Sequence, residues 1–195
     1  MCLLLALEQG LRPISVGIDY GQTHSIELEY AQRQCERFGV ERRLLTIRWD
    51  KPPRAIPLDR SVDQIRAAIS PAFLPARNIL FLSLAFAEAT GLGASQVWIG
   101  VNSVDFSGYP DCTPQFIESY RVMATIGLGG GTDLMAPLQH LSKKEIVTMA
   151  LRLGLERNDT WSCYRPLQIE SVAKPCGRCD ACVLHDSAWD AISKP

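Results

Sequence analysis

Several features are missing from this 195-residue sequence, and each absence narrows what it can be. There is no surplus of charge of either sign: 20 Lys and Arg stand against 21 Asp and Glu, a net of -1. That balance supplies no overall electrostatic footprint for nucleic acid or an anionic membrane, although a local basic patch can hide inside a neutral total. No apolar run is long enough to span a bilayer. The opening MCLLLALEQG is apolar but short, with no basic stretch before it and no small-residue cleavage site, so it does not read as a signal peptide. The expected setting is the cytoplasm, where thiols stay reduced and clustered cysteines read as metal ligands or catalytic groups rather than disulfides. Internal repeats and low-complexity tracts are absent too. The glycine-rich GLGGGT at 127–132 lacks the Lys-Ser/Thr ending of a phosphate loop and reads as a flexible turn.

What is present is ordinary for a globular chain: 47% hydrophobic and 21% charged residues, enough for a normal core. The length suits one domain with a small appendage, and the expected division is a body over 1–155 and a C-terminal segment over 156–195. Helices are predicted over 1–10, 24–38, 77–91, 113–126 and from Ser142 to Gly154. Thr113 with Pro114 opens the fourth, and Ser142 with Glu145 forms a capping box at the fifth. Strands are predicted over 13–20, 40–48 and 94–101, with a short one carrying Leu134, Met135 and Leu138. The alternation argues an α/β fold with a mostly parallel sheet. The helix over 77–91 is apolar almost all round, so it should be buried on more than one side.

The sharpest chemical signal is Cys176-Gly177-Arg178-Cys179-Asp180-Ala181-Cys182, with Cys163 upstream. Two residues between ligands let both sulfurs face one point, and Gly177 eases the curl. Four thiolates close a tetrahedron around zinc and leave no open position, which makes the site structural. Buried free thiols, a redox pair or an iron–sulfur cluster are the other readings. His185 stands nearby, but four Cys suffice.

Three further clusters lie at predicted strand or helix ends. Asp105, Phe106, Ser107, Gly108, Tyr109 and Asp111 follow the strand ending at Val101, where parallel sheets bind ligands. Their carboxylates and rings suit a guanine-type base, but the same residues also make a plain surface turn. Asp19, Gln22 and His24 follow the strand before them, with His24 a candidate acid/base; Thr23 as a helix cap is the plainer account. Arg77 and Asn78, and separately Lys143, sit at helix starts where the dipole disfavours cations. A bound anion explains each, and so does solvent.

Taken in order, IDYGQTH, LPARNILFLSLA, GVNSVDFSGYPDC, APLQHLSKKEI, TWSCY and CGRCDAC resemble the 7-cyano-7-deazaguanine synthase (QueC) family, from Val16 to Cys182. The resemblance implies an adenine-nucleotide α-hydrolase-like, Rossmann-like fold with a C-terminal zinc-binding segment. It implies an ATP-dependent ligase that turns 7-carboxy-7-deazaguanine and ammonia into the nitrile in queuosine biosynthesis, and commonly a homodimer. Zn2+ would be held by Cys163, Cys176, Cys179 and Cys182, with ATP as cosubstrate together with Mg2+. Asn78, Asp105, Ser107, Tyr109 and Asp111 would lie at the deazapurine, and Gln22 at the nucleotide. Asp19, His24, Arg77 and Lys143 would serve the reaction centre and phosphates. No direct nucleic-acid or membrane partner is expected.

The family pattern also includes an N-terminal strand and a Ser-Gly-Gly-x-Asp-Ser loop for the ATP phosphates. Neither occurs in these 195 residues, whose first helix resembles the one after that loop. The resemblance puts the strand inside the sheet, so its loss would leave backbone groups unpaired. Either Met1 is an internal residue of a longer enzyme, or the chain is a zinc protein that binds a deazapurine or a partner without turning over ATP. The intact remainder of the motifs favours the first. A different ATP pyrophosphatase of the same fold is a third reading, and SGYPDC argues against it.

Overall fold

The structure, a computed structural model, describes residues 1–22, 25–48, 55–102, 109–170 and 172–193. In chain order the elements are α1 (Cys2–Glu8), β1 (Ser15–Asp19), α2 (Ile26–Arg37), β2 (Arg42–Thr46), α3 (Val62–Arg66), α4 (Arg77–Leu92) and β3 (Gln96–Trp98). A short 3-10 turn at Pro110–Cys112 leads into α5 (Pro114–Leu128), β4 (Asp133–Met135) and α6 (Lys143–Arg152). After a second 3-10 turn at Arg157–Asp159 come β5 (Leu167–Ile169), β6 (Val172–Lys174) and α7 (Asp180–Ser193).

The α/β architecture is as expected, but the sheet comes in pieces. β1 pairs with β2 in parallel, from Ser15 opposite Arg42 to Asp19 opposite Thr46. β3 pairs with β4 in parallel, and β5 with β6 as a small antiparallel hairpin. No ladder joins the first two pairs among the described residues. What joins them is α4. Its Phe81 and Leu84 pack with Ile18 and Leu45 of the first pair. Its Leu82, Phe86 and Ala89 pack with Val97 and Leu134 of the second, together with Ile117, Tyr120 and Ala124 of α5. The helix is thus buried on two sides, as its composition requires, although Ile79 remains exposed.

Local signals explain the helix ends. Thr113 accepts from the Phe116 N–H at 3.2 Å, with Pro114 behind it, as expected for the start of α5. Ser142 and Glu145 exchange side-chain and backbone bonds at the start of α6. Gly129 ends α5 in the left-handed region, so GLGGGT is one-third helix: Gly127 and Leu128 belong to α5. The strand expected over 94–101 pairs only over Gln96–Trp98, and Leu138 lies beyond β4 in a buried turn. The cap expected at Thr23 lies outside the described residues. Ser25 stands at the N-cap position of α2 without a side-chain bond.

The C-terminal region is fastened to the body. α7 packs on α6 through Val147, Ala188 and Trp189. The stretches on either side of α3 reach the cysteine-rich turn: Leu58 bridges Cys179, Arg178 pairs with Asp59, and Arg60 and Ser70 both bond the Asp180 carboxylate.

Candidate active site and metal centre

Four of the sequence-predicted residues, Arg77, Asn78, Tyr109 and Asp111, gather at one end of α4. Arg77, its first residue, meets the Tyr20 hydroxyl just beyond β1 and feels the charges of Asp111 and Tyr164. The residues at the carboxyl ends of β1 and β3 border one cavity, on the side where parallel α/β sheets bind ligands. The cavity measures about 1270 Å³, and Tyr20, Glu27, Arg77, Asn78, Tyr109, Lys143 and Tyr164 line it.

The first turn of α4 is built unusually. Ala76, its N-cap, has φ 64° and no side chain able to accept a hydrogen bond. A non-glycine residue held in the left-handed region stores local strain, which concentrates at functional sites. The cap comes instead from 33 residues away: the Asp111 carboxylate accepts from the Asn78 N–H at 3.2 Å. Asn78 answers by donating from Nδ2 to the Asp111 carbonyl at 3.0 Å. Both residues are buried. An anion on a helix N-terminus is favourable, and here it also sets the 3-10 turn against α4. The Asp111 carboxylate thus helps hold the site's frame, and Tyr109 stacks on Phe73 at 5.1 Å.

Arg77 is the cation of this cavity. Burial works against its charge, but Tyr20, Tyr164 and Asp111 together raise its pKa. Its Nε is buried with no hydrogen-bond partner among the described residues, so within them the guanidinium retains a donor. Glu27, which the sequence reading passed over, lies close by. Burial raises its pKa, against the pull of Arg77 and of Gln22. Gln22 donates to Glu27 at 3.3 Å and accepts from the Tyr20 N–H at 3.0 Å, so it holds the turn after β1 rather than lining the cavity. Asp19 is not brought in either: its carboxylate accepts from the Gly21 N–H and faces Arg48 at 3.7 Å. His24, Asp105 and Ser107 lie outside the described residues. Tyr164 was also missed. Burial pushes its hydroxyl pKa well up, and it shares a hydrogen bond with Tyr109.

Beside this cavity the sulfurs of Cys163, Cys176, Cys179 and Cys182 all lie within 4.8 Å of one another. Cys176 and Cys182 are 4.0 Å apart and Cys179 and Cys182 3.6 Å. A tetrahedron with metal–sulfur bonds of about 2.3 Å sets its corners about 3.8 Å apart. The group could hold one metal ion. A cluster of several irons spreads its outer thiolates farther. Backbone N–H groups already point at two sulfurs: Arg165 and Cys176 donate to Cys163, and Arg178 and Cys179 to Cys176. Burial raises the Cys163 pKa to about 11 despite these bonds. Burial also opposes the Cys176 thiolate, but the two N–H groups together with hydrogen bonds from the Cys163 and Cys179 thiols outweigh it and bring that thiol down to about 7. Cys182 sits in the first turn of α7, an unforeseen helix, and that turn brings it back towards Cys179.

Set against known proteins, residues 1–193 match the family model described as "Queuosine biosynthesis protein QueC". The chain belongs to the QueC family. It is 52% identical over 191 residues to "7-cyano-7-deazaguanine synthase 2" of Rhodopseudomonas palustris (strain HaA2), covering 98% of this chain and 91% of that relative. A 7-cyano-7-deazaguanine synthase of Novosphingobium aromaticivorans is 42% identical over 200 residues, 97% of this chain and 84% of its own. One of Myxococcus xanthus (strain DK1622) is 36% identical over 207 residues, 100% and 89% respectively. In this QueC chain no helix among the described residues is long and apolar enough to cross a membrane.

Proposed function

We propose that this chain is an ATP-dependent 7-cyano-7-deazaguanine synthase. The observation that carries the reading is the 52% identity to a protein of that name over 98% of the chain. In this reading the substrate carboxylate attacks the α-phosphorus of one ATP and pyrophosphate leaves. Ammonia displaces AMP to give the amide and a proton. The amide oxygen attacks the α-phosphorus of a second ATP and a second pyrophosphate leaves; loss of AMP and two protons then gives the nitrile. Arg77, with a buried donor to spare among the described residues, suits the carboxylate or the phosphates. Lys143, at the first position of α6 and on the same cavity wall, suits a phosphate. Tyr109 offers a ring to the deazapurine and Asn78 a side-chain amide beside it. Asp105, Ser107 and His24 complete the proposed set, with Asp111, Gln22 and Asp19 as supports of its frame.

Zinc is the metal we assign to the four cysteines, in a structural role, because a closed four-thiolate site has no position for a substrate. Residues 1–155 would form the nucleotide-handling body and 156–195 the metal-holding segment. Mg2+ would accompany ATP, and a homodimer would be the working form. The test is to incubate the purified protein with 7-carboxy-7-deazaguanine, ammonium and MgATP. Nitrile is then read by mass spectrometry, alongside AMP and pyrophosphate. The expected stoichiometry is two AMP per nitrile. Zinc-loaded, folded protein that forms neither AMP nor nitrile would remove the reading.

A further inference from the structure

Among the described residues the carboxylates that line the cavity are those of Glu27, Glu88 and Glu156. Two of them are engaged away from Arg77. Glu88 lies three turns along α4, roughly 16 Å from Arg77 at 1.5 Å per residue, and faces Arg43 Nη1 at 3.4 Å. Glu156 belongs to the capping box of the second 3-10 turn. Glu27, the second residue of α2, is the acid that feels the charge of Arg77.

Its carboxylate is aimed. Gln22, itself buried, accepts from the Tyr20 N–H at 3.0 Å, and its Nε2 donates to Glu27 Oε1 at 3.3 Å. The turn after β1 thus orients the acid, and the start of α2 favours the charge it carries. A cation and an anion therefore share one end of the cavity. The acyl adenylate of the proposed reaction carries a phosphate, which suits Arg77. The nitrogen nucleophile comes at neutral pH chiefly as ammonium, which is a cation and has no lone pair until it gives up a proton. Other groups on the wall are poor acceptors. Burial, helped by Asp111, pushes the Cys112 thiol up to about 11, and burial pushes the Tyr164 hydroxyl well up, so both keep their own protons. His185 lines the cavity with Nδ1 beside Asp186 at 3.2 Å, and a neutral imidazole gives a cation no counter-charge.

We propose that Glu27 forms the ammonium subsite of this cavity, where its carboxylate binds the cation and takes one of its protons. The inference rests on the synthase reading above. One N–H bond of ammonium breaks and its proton passes to the Glu27 carboxylate. The freed lone pair forms the C–N bond to the acyl carbon, the C–O bond to AMP breaks, and AMP leaves with that electron pair. The nitrogen sheds a second proton to water, which gives the amide. Pairing an ionised donor with a carboxylate makes the hydrogen bond strong, and a positioned base contributes about 100-fold to 10,000-fold to such a step.

The test follows nitrile formation by the full, zinc-loaded chain at neutral pH, with ammonium chloride varied. Glu27→Gln keeps the shape of the side chain and an acceptor for Gln22; Glu27→Ala leaves room for a small carboxylate. Glu27→Gln should lower kcat/KM for ammonium about 100-fold or more. Its kcat/KM for 7-carboxy-7-deazaguanine should change less than about threefold, because pyrophosphate leaves before nitrogen attacks. Sodium formate should restore Glu27→Ala at least about tenfold, in proportion to its concentration, and sodium chloride should not. A residue that only supports the fold lowers both constants together and is not rescued. That result, or an ammonium kcat/KM for Glu27→Gln within about threefold of the parent's, overturns the proposal; nitrile made by the parent then leaves the synthase reading standing. A parent that makes neither AMP nor nitrile removes both.

Discussion

Replacing Asp180 with Ala should cost about 3 kcal/mol of stability. Asp180 is buried at the start of α7, and its carboxylate accepts from Arg60 Nε at 3.0 Å, from a second Arg60 nitrogen and from Ser70 Oγ at 2.8 Å. Removing one member of a fully buried ion pair costs about 3–5 kcal/mol, because the other is left charged and unpaired. The Arg60 side chain keeps 21% exposure, which places the expectation at the lower end. For a chain of 195 residues, 3 kcal/mol corresponds to a fall in Tm of about 6–12 °C. Urea unfolding of Asp180→Ala, Arg60→Met and the double variant, at constant free zinc, isolates the pair. A coupling energy of about 2 kcal/mol is expected. It should change little between 0.05 and about 0.5 M salt, since buried pairs are weakly screened. Coupling below about 0.5 kcal/mol would refute the idea that this pair pins the residue 58–70 stretch to the cysteine-rich turn.

Three other outcomes follow from the site. Arg77→Ala should lower kcat/KM for nitrile formation about 100-fold or more, with Arg77→Lys recovering little; equal activity in steady-state assays would place the reacting groups elsewhere. Asp111→Ala should destabilise by about 1–2 kcal/mol through loss of the α4 cap, and undiminished stability in urea would remove that cap. Glu27 has its carboxyl pKa raised in the fold, so the native state binds its proton more tightly. Its stability contribution is full below the unfolded carboxyl pKa and declines as pH rises through the raised native one. Glu27→Gln should therefore gain on the parent protein as pH climbs through that window. A gap between the two that stays constant from pH 3 to 8 contradicts the burial argument.

Where structure follows from neighbours in the chain, the sequence was readable. Thr113 with Pro114, Ser142 with Glu145 and the three closely spaced cysteines each act within a turn or two, and each stands where expected. What was hidden depends on distant partners. That Asp111 also caps α4 shows only when Asn78, 33 positions earlier, is seen to donate to it. Gln22 and Asp19 carry the right chemistry but spend it on their own turn. Glu27 looked like one more acid on a polar helix; only the approach of Arg77 and Gln22 marks it out. The strand over 94–101 is apolar for longer than it pairs, because burial and ladder length are separate demands. The α7 helix follows a turn dense in ligands, and that composition masked its helical spacing.

Tyr164 is one peptide bond from Cys163, and it leans on Tyr109 in the cavity wall. Whatever tightens or slackens the sulfur cradle is thereby conveyed, over a single residue, to the ring that faces the ligand space. The tail is a buttress as much as a clasp: an ion held by its cysteines would steady a wall that looks distant from it.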